Sequence, residues 1–228
     1  RGLGDVYKRQ YQYGVEEVIK QFRMKLHINT IIFLLLALTD LIWILHHGVH
    51  GTVALFLQYL FMICILVIHQ IVHYSHFPRL THILMTDCDP YKFYEVLMKL
   101  DKYDRVGRGK NTLLFYKAAC CSYMQERTEE GLSYLKSVNF KKKVLDREAN
   151  VLLLFANYSK RKNDRTSFDL IKRDMENLPN IIAYKEIQKK NYDNTYKMFQ
   201  VIESIWNEED ETARKLINEL LAENPTVL

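Results

Sequence analysis

Two apolar runs, Ile31–Leu45 and Val53–Ile68, lie close together near the start of the chain, with only His46–Thr52 between them. A helix rises about 1.5 Å per residue, so about 20 residues cross a hydrocarbon core ~30 Å thick. The second run, extended over Thr52–Val72, meets that length with Gln58 and His69 as its main polar interruptions. The first is shorter and carries Asp40. It spans if Thr30 and the residues after Leu45 lie at the interfaces. The pattern predicts a two-helix transmembrane hairpin over residues 29–76. The competing reading is a buried core hairpin in a soluble domain; the length and the near-absence of charge favour the membrane.

Charge sets the orientation. Lys20, Arg23 and Lys25 precede the first run, Arg79 and a Lys/Arg-rich region follow the second, and the connecting loop has neither. By the positive-inside rule both termini are cytoplasmic and the chain is an integral membrane protein, expected in a bacterial plasma membrane. Upstream, Val15, Val18, Ile19, Phe22 and Leu26 repeat at helical spacing among charged residues. That makes 11–28 an amphipathic juxtamembrane segment or an extension of the first membrane helix. Residues 1–10, RGLGDVYKRQ, resemble a translated sequencing adapter more than native chain.

Residues 77–228 are polar and periodic, enough for one cytoplasmic domain with its own core. The period is helical throughout. Asp89 can cap a helix that begins at Pro90 and carries Phe93, Val96, Leu97 and Leu100 on one stripe. Gly107–Lys110 breaks it. Further helices are predicted over 111–125, 128–138, 145–160, 165–177, 181–206 (with a possible break) and 211–223. No alternating strand pattern stands out, so the whole chain reads as all-α.

The helices fall into pairs that look related. Ser167, Ile171 and Pro179 have the spacing of Ala213, Ile217 and Pro225, and Gly131, Leu135 and Val138 begin the same pattern without the proline. Ala119 and Ala156 are small residues in the helices before two of these segments. Over residues 111–225 this resembles a degenerate tetratricopeptide-type repeat array, in which small residues allow close helix crossings. The spacings are 36 and 46 residues, not the ideal 34, and the hallmark Trp and Gly-Tyr positions are not met. The resemblance implies an α-solenoid whose concave groove binds a protein partner. In that register Tyr116, Cys120, Asn150, Asn157 and Arg161 line the groove. The plainer alternative is core for Tyr116 and Cys120, and solvated surface for the asparagines.

Composition narrows the chemistry. The net charge is +5, but the basic residues are dispersed and the soluble part is near neutral. Short runs such as Lys141–Lys143 and Lys160–Lys162 read as solvated loops or helix ends, so no nucleic-acid partner is expected. Glu208, Glu209, Asp210 and Glu211 favour the start of the last helix through its dipole. The 4 cysteines form no CxxC pair and read as reduced thiols.

Two histidine clusters stand out. His46, His47 and His50 lie in the outer loop, while His69, His73 and His76 share a helical face. Their spacings resemble the histidine boxes of membrane di-iron oxygenases. A hairpin, however, holds the two clusters on opposite sides of the bilayer. A metal or haem site at the inner end, from His27, His69 and His73, is the alternative to a protein with no cofactor. At mid-membrane, Asp40 faces Gln58 or Tyr59 and reads as a neutralised polar pair; a proton or ion relay would need a homo-oligomer. The sequence GRGKNT at 107–112 lacks the first glycine and the final Ser/Thr of a phosphate loop, and no other catalytic signature occurs. The expected activity is therefore binding rather than catalysis: a membrane-anchored adaptor or scaffold.

Overall fold

A computed structural model of the chain describes residues 14–47, 52–75, 80–85, 88–102 and 109–223. The adapter-like 1–10, the loop around His50, His76, Gly107 and Pro225 lie outside the described residues. All regular structure among the described residues is helical. Two compact units divide the chain, Arg1–Asp87 and Cys88–Leu228. That boundary falls eleven residues beyond the one drawn at 76/77, because the single turn of α3 (His82–Met85) groups with the first unit.

The first unit is built on α1 (Val15–His47) and α2 (Thr52–Ser75), which pack against each other. Helix α1 runs unbroken, so the amphipathic segment and the first apolar run share one rod. Val15–Ile44 is long and apolar enough to cross a membrane, and none of its most apolar window is buried inside the chain. The corresponding stretch of α2, Phe56–Ile71, is shorter, although α2 itself has 24 residues. Apolar side chains point outward on all sides of the pair, Ile31, Leu35, Leu38, Phe56, Phe61 and Ile68 among them.

Among its described residues the second unit holds seven α-helices: α4 (Pro90–Asp101), α5 (Lys110–Cys121), α6 (Thr128–Ser137), α7 (Leu145–Arg161), α8 (Arg165–Ile181), α9 (Glu186–Trp206) and α10 (Asp210–Glu223). The Asp89 carboxylate accepts from the Lys92 amide at 2.9 Å and caps α4 as its sequence suggests. The helix expected over 181–206 starts later, at Glu186, and runs unbroken to Trp206. Ile181 ends α8, Ile182 is extended, and the Gln188 side chain accepts from the Lys185 amide where α9 starts.

Packing follows chain order with two additions and one gap, between α8 and α9. Each helix meets its neighbour in α4–α5–α6–α7–α8 and in α9–α10, and α7 also lies against α5 and α9. Helix α7 is the centre of the unit and serves two cores. Leu145, Ala149 and Ala156 face Phe168, Met175, Tyr192 and Phe199, whereas Leu154 and Tyr158 face Ala118 and Leu135. Ala156 is fully enclosed. Ala119, its proposed counterpart, is only partly buried.

The turns after α7 and α9 are alike. Asn163 and Glu208 both take the left-handed conformation, and Asp164 and Glu209 each return an amide to the carbonyl of a buried serine, Ser159 or Ser204, at 2.9 Å. These are Schellman-type endings. They place α8 and α10 in equivalent positions 45 residues apart, so the partner of Ala213 is Phe168 rather than Ser167. Both are buried, whereas Ser167 is occupied with the cap, its hydroxyl donating to Asp164. One residue of register separates the sequence pattern from the packed one.

Candidate functional site

The sequence points to two places, the polar positions of the hairpin and the face of the helical array. In the hairpin, Asp40 is buried and its carboxylate accepts a hydrogen bond from the Gln58 side-chain amide. Tyr59 turns away and is 68% exposed. His69 sits between Asn29, whose amide lies 3.3 Å from Nδ1, and the Phe33 ring, at 4.5 Å between centroids. His27 is exposed. His73 belongs to α2, but its side chain lies outside the described residues. Among the described residues no group of three or more His, Cys, Asp or Glu side chains is placed to hold a metal ion.

The five positions expected on the groove part company. Tyr116 is half-buried with its ring edge-on to Phe93 and Phe115, and burial raises its phenol pKa. Cys120 has no exposed surface, and burial pushes its thiol far above the usual range. It can neither touch a partner nor react as a thiolate. Asn150, Asn157 and Arg161 are spaced seven and four residues apart on α7 and so share one face of that helix. Asn150 and Asn157 are half-buried and Arg161 is exposed. The Asn150 amide donates to the Asp146 carbonyl of its own helix at 2.7 Å.

Sequence reasoning missed a polar cluster where α4, α5 and α6 meet. The hydroxyls of Tyr94 and Tyr134 both donate to one oxygen of Glu130, at 2.6 and 2.8 Å. Arg127 reaches the other oxygen at 3.2 Å and lies over the Tyr94 ring. The Tyr94 hydrogen bond is the largest influence holding Glu130 below the ordinary carboxylate range; Tyr134 and Arg127 add to it and partial burial opposes it. Beside the cluster, the Lys117 side chain is 3% exposed and pairs with Asp101 at 2.5 Å, its ammonium 5.4 Å from the Tyr134 ring centroid. Every charge here has a partner. The donors and acceptors are satisfied internally, and this is the arrangement of a helix clamp rather than of a nucleophile awaiting substrate. Only the tyrosines of α4 and α6 and the acid between them, far apart in sequence, would have signalled it.

No protein-family model, curated protein or solved structure matches this chain. Its class therefore rests on its own geometry: among the described residues, an all-helical protein with an N-terminal helix whose most apolar window is unburied, followed by a compact array of helices.

Proposed function

We propose that this protein is a membrane-anchored adaptor. The hairpin of α1 and α2 spans the bilayer twice with both ends in the cytoplasm, and the helical array presents a docking face to a protein partner. The observation that carries the reading is the outward exposure of the hairpin's apolar side chains. A core helix of a soluble protein buries such residues; here the most apolar window of α1 is not buried at all. In lipid that exposure is favourable, and in water it is not. Helix α2 rises about 36 Å over its length, enough for a second crossing with some tilt.

The array supports the adaptor half of the proposal. Helices α5, α7 and α9 lie side by side while α6, α8 and α10 pack on them, an arrangement of stacked pairs like that of tetratricopeptide-type repeats. Two of the three turns that join pairs internally have the same left-handed ending. The partner face is the stripe of α7 bearing Asn150, Asn157 and Arg161, where amide and guanidinium groups suit a polar or acidic peptide segment.

The test has two arms. Resistance of the full-length protein to alkaline carbonate extraction reads the membrane half. A photo-crosslinker at Asn157 is expected to give a discrete adduct that a crosslinker at Leu170, exposed on α8, does not give, and Arg161→Glu should suppress it. Extraction by carbonate, as for a cleaved leader or a soluble protein, overturns the first half. Equal adducts at both positions overturn the second.

A further inference from the structure

We infer that one end of the helical array docks on an anionic lipid surface. Side-chain ties bring the starts of α5, α7 and α9 to that end. Asn111, in the first turn of α5, donates to the Asn139 carbonyl at 2.5 Å and accepts from its amide at 3.1 Å, pinning the α6–α7 turn beside it. Asn191, in the first turns of α9, donates to Asp146 of α7 at 3.2 Å. The α6–α7 and α8–α9 turns therefore project at the same end.

Both turns are rich in lysine; the α7–α8 turn at the opposite end is basic too, but its Lys162 is paired with Glu129 at 2.6 Å. The first carries Lys141, Lys142 and Lys143, all exposed. The second carries Lys185 and Lys190, also exposed, around three outward apolar side chains: Ile181 is 74% exposed, Ile187 63% and Tyr184 44%. Of the acids at this end, Asp193 pairs with Lys189 at 2.8 Å, and Asp146 is held by the neutral Asn191 amide and keeps its charge. Asp146, Glu148 and Glu186 thus stand against Arg147 and the exposed Lys141, Lys142, Lys143, Lys185 and Lys190. The surface is net positive with apolar tips, the pairing that lets lysines meet phosphate headgroups while the isoleucines and the tyrosine enter the interface and acyl boundary. Single-stranded nucleic acid is held instead by successive aromatic rings, whereas this end offers one exposed tyrosine, Tyr184, beside two isoleucines.

This inference rests on the proposal that the chain is membrane-anchored, because the anchor keeps the array at high effective concentration beside the lipid. The solvent-facing lysines of the α6–α7 turn then have a role that their sequence alone does not assign.

The experiment uses the full-length protein, with Cys64→Ser and Cys88→Ser, reconstituted in vesicles containing phosphatidylglycerol. A nitroxide is attached at Ile181→Cys or, for comparison, at Glu209→Cys in the turn at the far end of α9. The label at 181 should become accessible to oxygen and shielded from an aqueous nickel chelate, while the label at 209 stays exposed to the chelate. Pure phosphatidylcholine vesicles, 1 M salt, or Lys141→Gln with Lys142→Gln and Lys143→Gln should release it, with docking weakened about five-fold per lysine. Equal chelate access at 181 and 209 in anionic vesicles overturns the inference. So does shielding at 181 that appears only on adding RNA. Carbonate resistance, measured on the same samples, reports the anchor separately, so loss of docking with an intact anchor counts against the lipid surface alone.

Discussion

The hydroxyl of Tyr192 on α9 donates to the main-chain carbonyl of Met175 on α8 at 2.9 Å, and both residues are buried. That carbonyl would ordinarily accept from the amide four residues on. The residue there is Pro179, which lies inside α8 and has no N–H. The tyrosine supplies from another helix the donor that the proline removes. Burial and the neighbouring negative groups push its phenol pKa up to about 12, so it stays protonated and able to donate.

Removing that donor should expose the debt left by the proline. Tyr192→Phe is expected to destabilise the array by about 1–3 kcal/mol, the range for a buried carbonyl left without a partner. Pro179→Ala restores an amide within the helix, so in the double variant the penalty of Tyr192→Phe should shrink to a few tenths. Chemical denaturation of the four proteins in the cycle checks this. An unchanged penalty in the Pro179→Ala background would show that the carbonyl was satisfied in another way.

Gly131 and Tyr158 form a second coupled pair. The Tyr158 hydroxyl donates to the Ala118 carbonyl at 2.5 Å and passes over Gly131 on its way. A Cβ at 131 would lie 2.5 Å from that of Cys121 and within 2.8 Å of the Tyr158 ring carbon. Gly131→Ala should therefore cost about 1–3 kcal/mol by overpacking, despite the higher helix propensity of alanine. Tyr158→Phe should cost less, about 0.5–1.5 kcal/mol, because the Ala118 carbonyl keeps its bond from the Ser122 amide. The double variant should be less damaged than the sum of the two. Additive losses would place the clash on Cys121 alone.

The Tyr94–Glu130–Tyr134 cluster gives the array a pH dependence. The folded-state pKa of Glu130 lies below its ordinary 4.5. The folded state thus binds this proton more weakly than the unfolded chain. Its contribution is fully present above that value and is lost as pH falls below 4.5 through the folded pKa. Tyr94 acts at the other limit. Burial, then its hydrogen bond to Glu130, raises its pKa, so its contribution holds below pH 10 and is lost above, where the unfolded tyrosine ionises and the folded one does not. Melting temperature against pH should fall at both ends. Glu130→Gln should flatten the acid limb below pH 4.5. An acid limb of unchanged slope would remove Glu130 from it.

Much of the architecture is legible in the sequence because it depends on local period and capping. Asp89, Pro90 and the stripe from Phe93 to Leu100 define α4 without any partner, and Leu145 and Arg165 start their helices where the pattern puts them. The small positions Gly131 and Ala213 are also legible, since only a close approach explains them. What does not show is pairing across the array. Cys120 has the same composition and spacing whether it faces a groove or a core, and only the arrival of α7 decides that it is enclosed. Tyr94 and Glu130 meet across 36 residues, a separation that no local period encodes. The pairing of Ser167 with Ala213 in the sequence pattern differs by one residue from the spacing of the two turns for a related reason. Ser167 is small, as a crossing residue should be, but it is small in order to serve the cap at Asp164.

Glu208 offers a gain rather than a loss. It holds a φ of 62° at the end of α9, where a Cβ is disfavoured, while Asn163 at the equivalent turn is a residue that tolerates this conformation. Glu208→Gly or Glu208→Asn should stabilise the array by about 0.5–1 kcal/mol. A lower melting temperature in both variants would mean that the carboxylate, next to the start of α10, contributes more through the helix dipole than the backbone loses.

The last prediction concerns the hairpin. Asp40 and Gln58 join α1 to α2 through a single side-chain hydrogen bond in otherwise apolar surroundings. In lipid such bonds contribute only about 0.6–2 kcal/mol, because the separated helices also find polar contacts. Gln58→Leu should strand the aspartate and weaken the pairing of the two helices by an amount in that range. Asp40→Asn keeps an acceptor oxygen and removes the ionisable group, so it should pair at least as well as the native residue. Replacing both by leucine should recover most of the loss from Gln58→Leu, since neither polar group is then left buried. Unfolding of the reconstituted protein in lipid, followed by energy transfer between labels near the ends of α1 and α2, separates these outcomes. If Asp40→Asn loosens the pair as much as Gln58→Leu does, the charge of Asp40 is itself required, and the residue serves a function in the bilayer beyond joining two helices.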